Sequence, residues 1–443
     1  MPSATPSESA ERPLRLAVLA DSDTRWKWGA LTAQRLAPGA VIDGLLLRGR
    51  ATPTARQLQD TGVRGAQVRE VSADGFLAAA GVEGAYDVVV LSCVGGTVQA
   101  MLHGLAHRWQ GHARRPVVVT GYVGVVYEKL ADGLLLRHGA DLVLANSAYD
   151  ADRFRTVYAG VGADTDSVVE CALPFLGGAP YAPSDERPYT VTFAVQPSVP
   201  ETRKDRLYLL QRAAAHARFH PEREVLIKLR SKPGEHTTHV EELPYQRLAD
   251  RLPGGLPANC RLVYGHMGQV LDRTDLLVTV SSTAALESLH RNIPTAILTD
   301  LGVREPLGNH HFVGSGCLTS WDRLDAGEVP RADREWTARQ GVAADGPYEA
   351  AFDAARKRIA GLLYDDLPPL TPFYTATTAP GYLPGILARH GLAPDGSPSP
   401  SAAEGPGSGV GGAARRVVRR AARGAYRQGV QRVAPVIRRM GQL

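Results

Sequence analysis

The sequence predicts an α/β protein with two parallel-sheet domains that face a common cleft. Apolar segments of strand length alternate with amphipathic helical segments through most of the 443 residues. The pattern starts again after residues 177–188, which are rich in proline, glycine and charge and are typical of an interdomain linker. The chain is too long for one ordinary core, and its 44% hydrophobic content is enough for two.

The first half predicts a domain over residues 14–180, after a polar start at 1–13 that we expect to be disordered. Its apolar strands are predicted at 14–20, 41–47, 87–93, 116–120, 141–146 and 167–172. The second domain is predicted over residues 189–345. Its apolar strands are predicted at 189–195, 225–230, 261–264 and 276–280, and a further strand follows a helix within residues 276–300.

The remaining segments have distinct compositions. Helical periodicity at 348–364 predicts a return segment over 346–385 that crosses back onto the first domain. Residues 393–413 are mostly Gly, Ser, Pro and Ala, which predicts a flexible linker. Residues 414–440 are predicted to form a basic amphipathic helix.

Composition also limits the functional class. Four cysteines without metal-ligand spacing predict reduced, buried thiols, and we expect no metal site and no cofactor. The sequence has no long apolar run and its start is polar, which predicts a cytoplasmic protein. Phosphate-binding P-loop, dinucleotide-binding and nucleophile-elbow motifs are missing, which argues against an ATPase, a dehydrogenase or a serine hydrolase.

The most informative motif is a Ser-Ser-Thr turn between a buried strand and a helix. Ser281, Ser282 and Thr283 follow the apolar strand at 276–280, and Ser282 is a suitable helix N-cap. Backbone amides at a helix start attract anions, so a phosphate fits this turn, and Glu287 lies where it could accept hydrogen bonds from a ribose. The alternative is that the serines only cap the helix and Glu287 is a surface charge.

A second candidate for phosphate binding follows the strand at 225–230. Lys228, Arg230 and Lys232 share one face if the extended conformation continues, because side chains alternate along a strand. His236 follows and could donate to a phosphate or protonate a leaving oxygen. Alternatively, these cations protect an edge strand or face solvent.

Gly265 and His266 close the strand at 261–264, at the same sheet edge, where they could contact a base or ribose. The alternative is that Gly265 only permits a turn and His266 caps the next helix.

In the first domain, two carboxylates follow the first strand. Asp21 or Asp23 could deprotonate an acceptor hydroxyl, while Lys27 and Trp28 could bind the acceptor sugar. Glu128, after a later strand, is another candidate base. Alternatively, the aspartates cap a helix and the tryptophan packs between the domains.

Taken together, the segments KLRSK, EHTTH and VSSTAALESLHRNIPTAI on two α/β halves resemble glycosyltransferases of the GT-B fold, which has two Rossmann-like domains facing a cleft. DSDTRWKW and GADLVLANSAYDADRF resemble an actinobacterial family of glycosyltransferases. The resemblance covers residues 1–380. The sequence is also remotely similar to bacterial sialyl- and polysialyltransferases, whose Ser-Ser motif matches Ser281 and Ser282. Their His-Pro motif is not present, since residues 232–236 read KPGEH.

The resemblance implies an inverting, metal-independent transfer, in which a carboxylate of the first domain activates the acceptor and the second domain binds the nucleotide donor. The favoured donor is a CMP-nonulosonic acid, and the acceptor is a surface-polysaccharide or wall-polymer glycan, free or lipid-linked. The alternatives are transfer from a UDP- or GDP-sugar or a CDP-alditol, a nucleotide-sugar epimerase, and a non-catalytic nucleotide- or polymer-binding protein tethered to the membrane.

The basic character of the chain is concentrated at its end. Residues 413–443 hold nine arginines and no acidic residue, so the net charge of +5 leaves 5 − 9 = −4 for the remainder. Six of these arginines, from Arg415 to Arg427, share one helical face, and the segment therefore predicts electrostatic, peripheral attachment to an anionic membrane surface. The alternative is a disordered basic tail or adventitious nucleic-acid binding, and no specific nucleic-acid partner is predicted.

Overall fold

The structure is a computed structural model that describes residues 12–49, 51–125, 129–232, 235, 243–342 and 348–399. The described residues up to Ser397 form one compact unit, which holds two β-sheets in which every strand pair is parallel. The predicted fold class, α/β with two doubly wound sheets of the GT-B type, is confirmed. The predicted basic helix at 414–440, the linker beyond residue 399 and residues 1–11 of the predicted disordered start lie outside the described residues.

The first sheet has seven strands: β1 (Arg15–Ala20), β2 (Val41–Leu47), β3 (Gln67–Val71), β4 (Val88–Ser92), β5 (Val117–Gly121), β6 (Leu142–Ala145) and β7 (Val168–Glu170). Its helices are α1 (Asp23–Leu36), α2 (Ala55–Asp60), α3 (Ala73–Ala80), α4 (Gly95–Arg108), α5 (Leu130–Leu135) and α6 (Ala148–Gly160). The strand order is β3-β2-β1-β4-β5-β6-β7. Every residue of β4, β5 and β6 is buried, as expected for strands covered by helices on both faces.

The second sheet repeats this plan with β8 (Thr190–Ala194), β9 (Glu224–Lys228), β10 (Cys260–Val263), β11 (Leu276–Thr279), β12 (Thr295–Leu298) and β13 (Leu318–Thr319). Its helices are α7 (Arg203–Phe219), α8 (Tyr245–Ala249), α9 (Met267–Leu271), α10 (Ala284–His290), α11 (Trp321–Asp325) and α12 (Arg334–Arg339). The strand order is β10-β9-β8-β11-β12-β13. In both sheets the order reverses beside the first strand, and there the carboxyl ends of the strands open a crevice.

After the second sheet the chain returns to the first domain through α13 (Asp353–Leu362) and α14 (Leu383–Ala388). Ala355 and Ile359 of α13 belong to the apolar core below the first sheet. Leu383 and Leu387 of α14 belong to the core on the sheet's other face. The two return helices therefore complete the first domain.

The prediction that the flexible linker starts at residue 393 is wrong. Residues 393–397 form a hydrogen-bonded turn, in which the amide of Ala393 donates to the carbonyl of Ser397 at 2.8 Å. Gly396 in this turn packs closely against the backbone of His103 in α4. Glycine and serine here form a turn against a folded surface, which composition alone does not distinguish from a linker. All four cysteines are free and buried.

Candidate functional site

A cleft of about 390 Å³ lies where the carboxyl ends of strands from both sheets meet. The first domain contributes residues that follow β1 and β5 and one side of α2. The second domain contributes residues that follow β8, β9, β10 and β11. This is the position at which doubly wound sheets bind ligands.

An ion pair joins the two domains across the cleft. Asp23 is the first residue of α1, which Ser22 caps, and its Oδ1 accepts a hydrogen bond from Arg230 Nη2 at 2.8 Å. The same Nη2 also donates to the hydroxyl of Thr24. Asp23 and Arg230 both line the cleft, with 18% and 27% of their side chains exposed. The predicted base is thus held by a predicted donor-binding cation.

Asp21 has a different environment from Asp23. One carboxylate oxygen accepts from Arg25 Nη1 at 2.9 Å and the other accepts from the amide of Val94 at 3.0 Å. These bonds hold the loop after β1 against the start of α4, within the first domain. Asp21 does not line the cleft, so the geometry favours Asp23 as the base.

A second charge pair crosses the cleft. The ammonium of Lys27, on α1, lies 3.7 Å from Glu287 Oε2, on α10. It also lies 4.5 Å from the ring centroid of Phe175, close enough for a cation–π contact. All three side chains line the cleft.

The prediction that Trp28 contacts the acceptor is wrong. Its side chain is completely buried in the first domain, and its Nε1 donates to Asn146 Oδ1 at 3.1 Å. The indole packs against Gly121 of β5, where a Cβ atom would lie 2.8 Å from the ring. Trp28 therefore belongs to the core, because it lies on the side of α1 that faces the sheet.

Lys228 is the most unusual group in the cleft. It is the last residue of β9, is only 8% exposed, and donates from Nζ to the carbonyl of Leu229 at 2.6 Å. Burial lowers its pKa to about 8, although the negative charges of Asp60 and Glu287 act in the opposite direction. Among the described residues it has no carboxylate ion-pair partner.

The predicted face of three cations contains only two. Lys228 and Arg230 line the cleft, but Lys232 is exposed and does not. Its ammonium lies 6.0 Å from the ring centroid of Tyr264. The strand β9 ends at Lys228, so the side-chain alternation assumed for the prediction does not continue to Lys232.

The prediction that Ser282 is the N-cap of α10 is wrong, because the helix begins later than the sequence predicts. The helix begins at Ala284, and its N-cap residue is Thr283, whose side chain makes no capping hydrogen bond. Ser282 Oγ instead accepts from the amide of Ala284 at 3.2 Å. Ser282 and Thr283 both line the cleft, so their hydroxyl groups lie beside Lys228 and Arg230 in one site.

Ser281 has a structural role in the turn before α10. Its hydroxyl donates to the carbonyl of Leu307 at 2.6 Å, and its amide donates to Gln196 Oε1 at 3.0 Å. Gln196 lies two residues beyond the end of β8 and joins that strand's end to the turn. Sequence reasoning missed Gln196, although its position immediately after an apolar strand was a usable signal.

Gly265 lines the cleft with φ of +98°, a conformation that favours glycine. His266, the next residue, faces the end of α2, where a Cβ atom on Gly62 would lie 3.2 Å from its Nε2. Burial lowers the pKa of His266, and the charge of Lys27 lowers it further. His266 therefore lies at the contact between domains, beside the cleft.

Several cleft residues were not predicted: Gln57, Asp60 and Thr61 around α2, Val123 and Gly124 after β5, and Phe175. None belongs to a recognisable motif, so the sequence carries no signal for them. Two predicted catalytic residues, Glu128 and His236, lie outside the described residues.

One group in the described part of the chain has the composition of a metal site. His216, His220 and Asp325 have ligand atoms within 4.8 Å of one another. His216 Nδ1 is 2.6 Å from Asp325 Oδ1, and Asp325 also pairs with Arg212. None of these residues lines the cleft. They join the end of α7 to the end of α11.

The chain belongs to the family described as "Putative glycosyltransferase (DUF6716)", whose profile matches residues 16–361. A search of curated protein sequences finds no match. No helix in the described ranges has the length and apolar character needed to cross a membrane.

Solved structures with a similar arrangement include S. aureus MnaA with UDP, at 10% identity and a TM-score of 0.48, covering 81% of this chain and 100% of that one. A UDP-GlcNAc 2-epimerase from Methanocaldococcus jannaschii matches at 9% identity and a TM-score of 0.46, covering 78% of this chain and 99% of that one. The pneumococcal O-GlcNAc transferase GtfA with UDP and GlcNAc matches at 12% identity and a TM-score of 0.40, covering 63% of this chain and 57% of that one. At these identities the similarity carries no information about the substrate.

Proposed function

We propose that the protein transfers a sugar from a nucleotide-activated donor to a hydroxyl group of an acceptor glycan. The observation that carries this proposal is the buried ammonium of Lys228, which has no carboxylate partner among the described residues and lies in a cleft that also presents Asp23. A buried cation without a counter-charge favours an anionic ligand. Membership of the glycosyltransferase family supports the reaction type.

On the donor side, Lys228 and Arg230 bind the phosphate, together with Ser282 and Thr283 at the start of α10. A guanidinium donates to two phosphate oxygens at once, and an ammonium adds a point charge. These two cations supply the positive charge that the leaving phosphate needs, so the proposed transfer is metal-independent. In this proposal Glu287 and Gly265 contact the ribose and the base of the nucleotide.

On the acceptor side, Asp23 acts as general base. It takes the proton of an acceptor hydroxyl, whose oxygen forms a bond to the anomeric carbon of the donor sugar. The bond from that carbon to the phosphate oxygen breaks, and its electron pair leaves with the nucleotide phosphate. Attack opposite the leaving group inverts the anomeric centre. Lys27 and Phe175 form the surface nearest the acceptor.

Donor identity is the finer part of the proposal. A CMP-nonulosonic acid is favoured by the Ser-Ser motif at Ser281 and Ser282, both of which line the cleft. The alternatives are a UDP- or GDP-sugar and a CDP-alditol. Each donor leaves a different nucleotide, so the nucleotide that binds best identifies the donor class.

We further propose that the acceptor is a surface-polysaccharide or wall-polymer glycan, reached at the inner face of the membrane. The support is the sequence of residues 413–443, with nine arginines and no acid. Co-sedimentation of the full chain with anionic and with neutral vesicles tests this attachment. Binding to neither vesicle type contradicts it.

The donor site is tested by thermal unfolding with CMP, CDP, UDP and GDP, because a ligand that binds the folded state raises the melting temperature. We expect one nucleotide to stabilise the wild type and Lys228→Met to lose that effect. Lys204→Met, which changes an exposed lysine of α7 that does not line the cleft, is the matched control and should respond like the wild type.

Catalysis is tested by incubating the matching nucleotide sugar with and without acceptor and measuring the released nucleotide. Transfer that requires acceptor supports the proposal. A changed sugar without acceptor indicates an epimerase, and binding without turnover indicates a non-catalytic nucleotide-binding protein.

A further inference from the structure

We propose that the donor phosphate and Asp23 compete for Arg230, so that the base becomes available only when the donor is bound. This inference rests on the proposed function and deepens it by giving Arg230 two alternative partners, the Asp23 carboxylate and the donor phosphate. It is carried by the ion pair that joins the two domains, Asp23 to Arg230 at 2.8 Å.

The charges in the cleft are the first argument. The lining side chains with a positive charge are Arg25, Lys27, Lys228 and Arg230. Arg25 is paired with Asp21 at 2.9 Å, Lys27 lies 3.7 Å from Glu287, and Arg230 is paired with Asp23. Lys228 is thus the lining cation without a carboxylate partner in the described part of the chain.

One cation does not neutralise the donor. A nucleoside diphosphate sugar carries two phosphate charges, and a CMP-nonulosonic acid carries a phosphate and a carboxylate. Lys228 compensates one of these negative charges, and a second, partly buried negative charge needs another cation. Arg230 lies two residues beyond Lys228 on the same strand end, so it is the nearest further cation along the chain.

The geometry of Arg230 gives the second argument. Its Nη2 atom donates both to Asp23 and to Thr24, while the other guanidinium nitrogens have no hydrogen-bond partner among the described residues. A phosphate that binds the guanidinium side-on engages two of its N–H groups. A second anion on this guanidinium lies close to the Asp23 carboxylate and repels it.

The consequence for catalysis concerns the proton acceptor. While Asp23 Oδ1 accepts the hydrogen bond from Arg230, this oxygen is directed at the guanidinium and not at an acceptor hydroxyl. When the phosphate takes over Arg230, Asp23 Oδ1 is free to accept a hydrogen bond from an acceptor hydroxyl in the cleft. The unloaded protein is thereby prevented from activating an acceptor or water in the absence of donor.

Isothermal titration of CMP, CDP, UDP and GDP into the full chain tests the competition. If Asp23 competes for Arg230, Asp23→Asn tightens nucleotide binding by about tenfold, since the amide does not hold the guanidinium as a carboxylate does. Asp60→Asn is the matched control. It removes a negative charge from the same cleft, but Asp60 pairs with Arg56 and not with Arg230.

A double variant tests whether the effect of Asp23→Asn depends on Arg230. In an Arg230→Ala background, Asp23→Asn should no longer tighten binding, because the shared partner is missing. Unchanged or weaker binding by Asp23→Asn overturns the inference, and so does an equal gain in Asp60→Asn. These outcomes leave the proposed function intact. If neither the wild type nor Asp23→Asn binds any nucleotide, the proposed function itself is refuted.

Discussion

The ammonium group of Lys228 donates a 2.6 Å hydrogen bond to the carbonyl oxygen of Leu229, its own neighbour in the chain. This bond replaces only part of the hydration that the charge loses on burial, which is why the pKa of Lys228 falls to about 8. The residue therefore destabilises the empty protein while it prepares the cleft for an anion. A charged group that costs stability at a binding site is a common consequence of function.

Lys228→Met is expected to stabilise the protein. Keeping the ammonium charged where its pKa is about 8 instead of 10.5 costs about 3 kcal/mol, and methionine removes much of this cost. Urea unfolding at neutral pH should show a higher free energy of unfolding for Lys228→Met and no change for the exposed control Lys204→Met. A loss of stability in Lys228→Met would contradict this account of the cleft.

Nucleotide affinity is expected to fall as the pH rises through about 8. The phosphate binds the protonated form of Lys228, and above this pKa the free protein must first take up a proton. The nucleotide's own phosphate, with a pKa of about 6, is already ionised, so the change comes from the protein. Titrations between about pH 7 and about pH 9 measure it. Lys228→Arg, which stays charged, should bind with little pH dependence; an equal slope in both proteins contradicts the assignment.

The fold was largely predictable because its strands are buried on both faces. β2 lies at residues 41–47 as predicted, and β1 and β4 differ from their predicted ranges by a residue at one or both ends. β3 was not predicted, since four of its five residues are exposed and it has no apolar pattern. β13 was also missed, because its two residues are too short a segment to give a periodic signal.

The site was only partly predictable, because sequence identifies which side chains follow a strand but not what they meet. Asp23 and Arg230 each follow a predicted strand, yet they are 207 residues apart, and their contact depends on how the two domains pack. The sequence predicts Trp28 in the cleft, because a single aromatic residue does not show which side of its helix faces the sheet. Asp21 and Asp23 look equivalent in sequence, but Ser22 caps α1 between them and leaves them on different sides.

Trp28→Phe is expected to lower stability without affecting ligand binding. The change removes the hydrogen bond from the indole to Asn146 and leaves a buried amide oxygen without its donor, which costs about 1–3 kcal/mol. Thermal unfolding measures the loss, and titration with the binding nucleotide should give an unchanged dissociation constant. Trp26→Phe is the control, since it makes the same change in a buried tryptophan of α1 without removing a described side-chain hydrogen bond. A weaker nucleotide affinity in Trp28→Phe but not in Trp26→Phe would contradict this purely structural role.

Gly124→Ala is expected to weaken nucleotide binding by distorting the contact between the domains. Gly124 has φ of +98°, and a Cβ atom there would lie 3.0 Å from Thr283 Oγ1, at the start of α10. The alanine must therefore displace the threonine that we propose as a phosphate ligand, at a cost of about 1 kcal/mol, or roughly fivefold in the dissociation constant.

Gly39→Ala separates this effect from backbone strain. Gly39 has φ of +83°, and an added Cβ atom would meet nothing within 4 Å. Both variants should lose about 1–2 kcal/mol of stability, because a side chain disfavours the left-handed conformation. Only Gly124→Ala should also bind nucleotide more weakly. Equal affinity in the two variants would mean that Thr283 does not need its present position for the phosphate, and the phosphate site would then consist of Lys228, Arg230 and Ser282 without it.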